Sequence, residues 1–274
     1  MNLPPDDHVH SEFSWDTGPR ASMRDACARA VELGIPAVSF TEHVDFTAWA
    51  PGDHPLAAGR RPRAPGYYQP VDVRAYLASI ERCRTEFPDL RVRTGIEAGE
   101  PHLFAGSIAE VLGAGPFERV LGSLHSVVRR DELVGVARVL AAEHPHEVAR
   151  EYFGELLSMI NASSVFEVLA HCDFPRRYWP RGARRYAEGD FEDEYREVFS
   201  ALAASDRVLE VNTTSPLASV ELVRWWREQG GRAVSFGSDA HQPWDVGQRF
   251  DLAVDVVTAA GFRQGRDRWD FYRR

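Results

Sequence analysis

Short apolar runs alternate with stretches of helical period along nearly the whole chain, and this alternation restricts the fold more than any other feature. Residues 37–41, 92–96, 119–124, 166–170, 208–211 and 233–236, with a short run at 6–10, have the length and apolar content of buried strands. Between them, residues 22–33, 71–86, 146–160, 191–204, 216–229 and 244–260 repeat their apolar side chains at helical spacing. Ser22 with Asp25 resembles a capping box, and Gly34-Ile35-Pro36 closes that helix. About seven strand–helix units in 274 residues imply a parallel sheet closed into a TIM-like α/β barrel in one domain. The alternative is a doubly wound open sheet, but the GxGxxG turn expected after its first strand is missing. Residues 48–70, rich in Pro, Gly and Arg, interrupt the pattern as a lid or an insertion.

Composition removes several kinds of chemistry. The formal net charge is −9, a poor match for extended nucleic acid. The chain has no lysine, so a Schiff base, a P-loop lysine and a carbamylated-lysine metal bridge are all excluded. Three cysteines, Cys27, Cys83 and Cys172, lack CxxC spacing and argue against a disulfide framework or a thiolate zinc site. No apolar run approaches the roughly 20 residues that span a bilayer, so no membrane partner is expected. The segment MNLPPDDHVH has no basic residue before an apolar core, and the cytoplasm is the expected location.

Six of the ten histidines stand where a strand gives way to its loop: His8, His10, His43, His125, His171 and His241. Glu97 ends its strand in the same way, and Asp239 precedes His241 by two. Residues i and i+2 of a strand share a side, so His8 with His10 and Asp239 with His241 converge in pairs. In a βα barrel all these ends meet at one face. So many imidazoles and carboxylates need cations to offset repulsion and desolvation. With Asp16 the set has nine N and O donors and no thiolate. That suits two or three ions of Zn, Mn or Fe, with Glu97 bridging. His54, His102, His144 and His146 match no strand end and are read as loop or helix-start residues.

The motifs DDHVHSEFSWD, SFTEHVD, GIEAGE, VLGSLHSV, EVLAHCDFPRRY, LEVNTTSP and GSDAHQPWDVGQRF, in that order from residue 6 to about 250, resemble the PHP (polymerase and histidinol phosphatase) superfamily. Within it they look most like the histidinol-phosphatase group. TEH, where nucleotide-cleaving relatives more often carry TDH, and SWD after HxH both favour that group. The resemblance implies a distorted (β/α)7 barrel with a trinuclear metal site. His8, His10, Glu97 and Asp239 would hold the first ion. Glu97 would bridge to a second, completed by His125 and His171, and Asp16, His43 and His241 would hold the third. It also implies hydrolysis of L-histidinol phosphate, a small phosphorylated substrate.

Three divalent ions against three carboxylates make a cationic pocket that attracts a compact dianion. A water on such ions is acidified from ~15.7 toward ~7 and attacks phosphorus in line. Asp173 is a candidate acid for the leaving group. Arg176 and Arg177 lead the candidates for a phosphate clamp, ahead of Arg129 and Arg130. His43 is expected to serve the reaction as well as a metal. Asn212 stands at another strand end, and Thr213 or Ser215 could cap the next helix. Two other readings stay open: a phosphoesterase for nucleotides or another small ester, and a metal-dependent amidohydrolase.

Overall fold

A computed structural model of the chain describes residues 3–46 and 71–274. Residues 48–70, the lid or insertion of the sequence reading, lie outside the described residues. The chain runs β1 (Asp6–Val9), α1 (Met23–Leu33), β2 (Ala37–Val44), α2 (Val73–Glu86), β3 (Arg91–Gly99), α3 (Ala105–Gly113) and β4 (Arg119–Ser123). It continues through β5 (Ser126–Arg129), β6 (Glu132–Gly135), α4 (Val136–Leu140), α5 (Pro145–Ala162), β7 (Val168–Leu169), α6 (Phe174–Arg177) and α7 (Glu192–Ala204). It ends with β8 (Val208–Asn212), α8 (Val220–Glu228), β9 (Ala233–Gly237), α9 (Phe250–Ala259) and β10 (Tyr272–Arg273).

Among the described residues the main sheet has the order β1-β2-β3-β4-β7-β8-β9-β10, parallel except for β10. The sheet curls until β1 meets the segment that leaves β9. Val9 bridges Ala240, the His10 amide donates to Ala240 O at 2.9 Å, and the Asp239 amide donates to His8 O at 2.8 Å. This is the expected barrel, with a narrow seam between β9 and β1, and the consecutive strand order rules out a doubly wound sheet. The seam places the 239–241 segment directly against the 8–10 segment.

Local chemistry explains the element ends. The Ser22 hydroxyl accepts the Asp25 amide at 3.2 Å, and Gly34 closes α1 in the left-handed region (φ 73) that glycine adopts without a Cβ clash. Ser219 caps α8 by accepting the Leu222 amide at 3.0 Å, so neither Thr213 nor Ser215 has that role. The helix expected over 244–260 is broken. A 3₁₀ turn, Pro243–Asp245, comes first, and Gly247 (φ 66) and Arg249 (φ 59) turn the chain before Phe250. The Gly247 amide is drawn off to Asp6 Oδ2 at 2.9 Å. The strand expected over 166–170 shortens to Val168–Leu169, and His171 beyond it takes φ 23. The β5–β6 hairpin and α3 lacked a clear period in the sequence.

The register of β1 slips between Asp6 and Val9, and Asp7 and His8, though consecutive, both reach the barrel interior. Asp7 lies at the closed end, where it accepts Ser39 Oγ at 2.8 Å, Ser235 Oγ at 3.1 Å, Arg93 Nη1 at 2.8 Å and Arg119 Nε at 3.3 Å. The C-terminal segment docks over this plug rather than extending away. Arg93 donates to Trp269 O at 2.7 Å, Arg119 lies over Phe271, and Tyr272 packs edge-on against Phe236. Most of the apolar core, including Phe40, Tyr76, Phe199 and Trp226, lies between the sheet and its helices. The opposite end of the barrel is left to polar side chains.

Candidate metal centre

At that open end the six expected histidines and their acids come together. Parallel register sets His43 of β2 beside Glu97 of β3. His8 Nε2 and His10 Nε2 lie 3.1 Å apart. Glu97 Oε2 is 3.3 and 3.5 Å from these two atoms, and Asp239 Oδ1 is 3.7 and 3.3 Å from them. The other carboxylate oxygen, Glu97 Oε1, is 2.7 Å from His171 Nε2 and 3.2 Å from His125 Nε2. Asp16 Oδ2 is 2.9 Å from His241 Nε2 and 3.3 Å from His43 Nε2. The His10 and His43 rings stack at 4.2 Å. Glu97, fully buried, thus faces two clusters with its two oxygens.

Outer hydrogen bonds point several lone pairs inward. His8 Nδ1 donates to Glu210 Oε1 at 2.7 Å, His10 Nδ1 to Ser14 Oγ at 3.0 Å, and His241 Nδ1 to Asp239 O at 2.9 Å. Each bond puts the proton on Nδ1 and leaves Nε2 as a lone pair. Two such lone pairs 3.1 Å apart, with carboxylate oxygens beside them, repel unless a proton or a metal cation sits between. Zn–N bonds of ~2.0–2.1 Å fit that spacing. Glu97 Oε2 is buried without a hydrogen-bond partner. On these observations the residues fit divalent ions, and among the described residues four groups of three ligand atoms lie within 4.8 Å of one another, His8–His10–Asp239 among them.

Electrostatics agrees. Burial alone would raise the Glu97 carboxyl, but the imidazoles of His8, His43 and His125 hold it well below the usual range. Burial, then the neighbouring His43 and His241, push His10 down to about 3, which keeps it neutral. Burial works against charging His8, yet Glu210, Glu97 and Asp239 raise it well above its ordinary value. The same carboxylates would stabilise any cation placed there. The backbone is strained at this end: Glu100 (φ 45), His171 (φ 23) and Asp239 (φ 52) are left-handed without being glycine.

Arg177 reaches the cluster: it donates to Asp239 Oδ2 at 2.7 Å, Ser215 Oγ at 3.1 Å and Asn212 Oδ1 at 3.3 Å. Arg176 points away, to Glu188 at 2.7 Å, with Asp173 at 3.5 Å. Burial raises the Asp173 carboxyl to about 6 against the pull of Arg176 and Arg177. Arg129, on the β5–β6 hairpin, is tied to Glu143 and to Glu151 of α5, and Arg130 is exposed at the hairpin turn, so neither reaches the cluster. Of the remaining histidines, His102 pairs with Glu155 at 2.7 Å, His144 and His146 begin α5, and His54 lies outside the described residues.

The PHP domain profile matches residues 6–214, about three-quarters of the chain. The chain belongs to the PHP domain family. A histidinol-phosphatase of Lactococcus lactis subsp. lactis IL1403 is 26% identical over 269 residues, covering 94% of this chain and 92% of that protein. The crystal structure of histidinol phosphate phosphatase from the same organism, complexed with zinc, L-histidinol and phosphate, superposes with a TM-score of 0.81. It shares 22% identity and covers 99% of this chain and 97% of that one. A Listeria monocytogenes structure described as a candidate histidinol phosphatase gives a TM-score of 0.74 at 17% identity, covering 90% and 99%. Asp239 and His241 lie beyond the stretch matched to the PHP domain and reach the cluster through the β9–β1 seam.

Several residues of the PHP domain site escaped the sequence reading. Asp45 faces His43 Nδ1 at 3.1 Å and His125 Nδ1 at 3.2 Å, and it accepts Trp15 Nε1 at 2.9 Å. The i,i+2 rule applied to His43 would have found it. Glu210, buried in β8, holds His8, the His171 amide at 2.7 Å and Asn212. Its position inside an apolar run was no signal. Asp45 and Glu210 add two carboxylates to the three expected, so the charge surplus of the ion-filled pocket is smaller than the sequence suggests.

Proposed function

We propose that the chain is a metal-dependent phosphomonoesterase that hydrolyses L-histidinol phosphate to L-histidinol and phosphate. The observation that carries this reading is Glu97 facing His8 and His10, which Asp239 also faces, with one oxygen and His125 and His171 with the other. The likeness to histidinol-phosphatases over nearly the whole chain supports the choice of substrate.

His8, His10, Glu97 and Asp239 would hold one divalent cation, Glu97, His125 and His171 a second, and Asp16, His43 and His241 a third. Zn, Mn and Fe all suit the donor set. When bound, these ions supply Lewis acidity toward phosphoryl oxygens and make water nucleophilic at neutral pH. Arg177 clamps a phosphate oxygen: its guanidinium is already at the pocket wall, and its fork matches phosphate geometry. Asp173, raised to about 6, retains part of its proton near neutrality and gives it to the leaving oxygen of histidinol. Arg176 lies beside Asp173 and orients it. His43 packs between the Asp16 and Glu97 carboxylates and keeps their spacing. The chain acts as one catalytic barrel in the cytoplasm, a location supported by three free, buried cysteines. No helix among the described residues is long and apolar enough to cross a membrane.

Phosphate release from L-histidinol phosphate, compared with nucleoside bisphosphates and with metal content measured per chain, tests the reading. Preference for the bisphosphates would move it to the nucleotide-cleaving side. Turnover unaffected by metal removal would end it.

A further inference from the structure

Along β2, Val38, Phe40, Glu42 and Val44 alternate with Ser39, Thr41 and His43, and all of them are buried. Ser39 and His43 reach the barrel interior, as the Asp7 and Glu97 contacts show. Glu42 therefore occupies the strip where its neighbours Val38, Phe40 and Val44 are apolar. A carboxylate there is costly unless each lone pair is used. All its polar partners come from the single segment between β1 and α1. Glu42 Oε2 accepts the Ser11 amide at 3.1 Å and Ser14 Oγ at 2.6 Å, and Oε1 accepts Ser11 Oγ at 2.5 Å.

Ser14 Oγ in turn accepts the His43 amide at 3.1 Å and faces His10 Nδ1 at 3.0 Å. A hydroxyl has one proton. An ionised Glu42 carboxylate can only accept, so the Ser14 proton is committed to Oε2. Ser14 can then only accept from His10, which fixes the Nδ1–H tautomer and frees His10 Nε2. Two residues beyond Ser14, Asp16 faces His43 and His241.

We propose that Glu42 is a positioning residue that holds the 11–16 segment, and with it the Asp16 carboxylate and the His10 tautomer, in the state that retains a cation at Asp16, His43 and His241. This rests on the three-cation reading above. Aspartate keeps the charge, but it is one methylene, ~1.5 Å, too short to keep bonds of 2.5 and 2.6 Å without dragging the segment inward. It also gives the glutamate of TEH a physical purpose: it is the residue long enough to clamp HSEFSWD.

The test is zinc binding. Wild-type protein, Glu42→Asp and Ser14→Ala are loaded with zinc, dialysed against graded chelator and analysed for zinc per chain, with folding checked by near-UV circular dichroism. Wild type is expected to hold three ions. Both variants are expected to bind the ion at Asp16, His43 and His241 at least ~10-fold more weakly, as for loss of an outer-shell partner, and to keep the ion at His125 and His171 unchanged. Ser14→Ala, which also releases the His10 tautomer, should weaken the ion that His10 helps to hold. Long-range ¹H–¹⁵N spectra of His10 should show Nδ1–H in wild type and a mixture in Ser14→Ala. Three ions of wild-type affinity in either folded variant would overturn the inference and leave the three-cation reading standing. Should Glu42→Asp fail to fold, Ser14→Ala decides alone. Fewer than three ions in wild type would overturn that reading itself.

Discussion

A β-carbon on Gly237 would lie 2.0 Å from Glu210 Oε1 and 2.6 Å from His8 Cβ. Glycine is what lets the Glu210 carboxylate reach His8 Nδ1 across the floor of the cluster, and it does so with an ordinary backbone φ. Gly237→Ala is expected to push Glu210 off His8, to destabilise the fold by ~1–3 kcal/mol as an overpacked core, and to weaken metal binding by ~10–100-fold as for other outer-shell losses. Urea denaturation and a zinc titration on the same preparation check both.

Glu97 serves both clusters with one side chain. Glu97→Gln keeps the shape and removes the charge between them. Metal-assisted charge stabilisation is worth several kcal/mol, so phosphatase kcat should fall by about 10³-fold or more. Steady-state kinetics with L-histidinol phosphate, at saturating zinc, provides the measurement.

The neighbouring arginines should separate kinetically. Arg177→Met removes charge-assisted bonds worth ~1.5–3 kcal/mol, which lowers kcat/KM by about 10–150-fold. Arg176→Met, whose guanidinium is held by Glu188, should leave KM nearly unchanged and act on kcat through Asp173. An equal rise in KM for both would contradict the geometry.

Metal binding should weaken in acid. His8, His43 and His125 gain protons readily beside their carboxylates, although burial opposes it. A cation must displace those protons, so zinc affinity rises with pH and binding releases protons. Calorimetric titration in two buffers of different ionisation enthalpy measures the number released, and a value of zero would contradict it.

At the closed end, burial acts to raise the Asp7 carboxyl, but Arg119, Arg93 and bonds from Ser39 and Ser235 bring it below 3.8. A lowered folded value contributes stability above the unfolded value, and that stability is lost as pH falls through the folded one. Asp7→Asn leaves the buried Arg93 without its counter-charge and Arg119 with Glu167 alone, and should cost ~3–5 kcal/mol at neutral pH. The difference between variant and wild type should shrink below pH 3.8. Urea midpoints of the two proteins across that range give the comparison.

Much of the barrel and its open end was legible from one dimension, because alternating period and strand-end histidines are local signals. The i,i+2 spacing marked the pairs His8–His10 and Asp239–His241, although Asp239 is left-handed beyond β9 and the seam to β1 completes their convergence. The outer carboxylates were not legible. Glu210 lies inside an apolar run and Glu42 just beyond one, and they meet Ser14 and His8 28 and 202 residues away. Arg176 and Arg177 are adjacent in sequence, yet one turn of helix sends one to Glu188 and the other to Asp239.

The order of residues by itself determined the βα architecture and which imidazoles and acids share a face, since backbone periodicity dictates both. Only tertiary structure decided which oxygen meets which nitrogen. Those contacts depend on the slipped register of β1, the seam to β9 and the room left by Gly237, all of which arise from packing between distant segments.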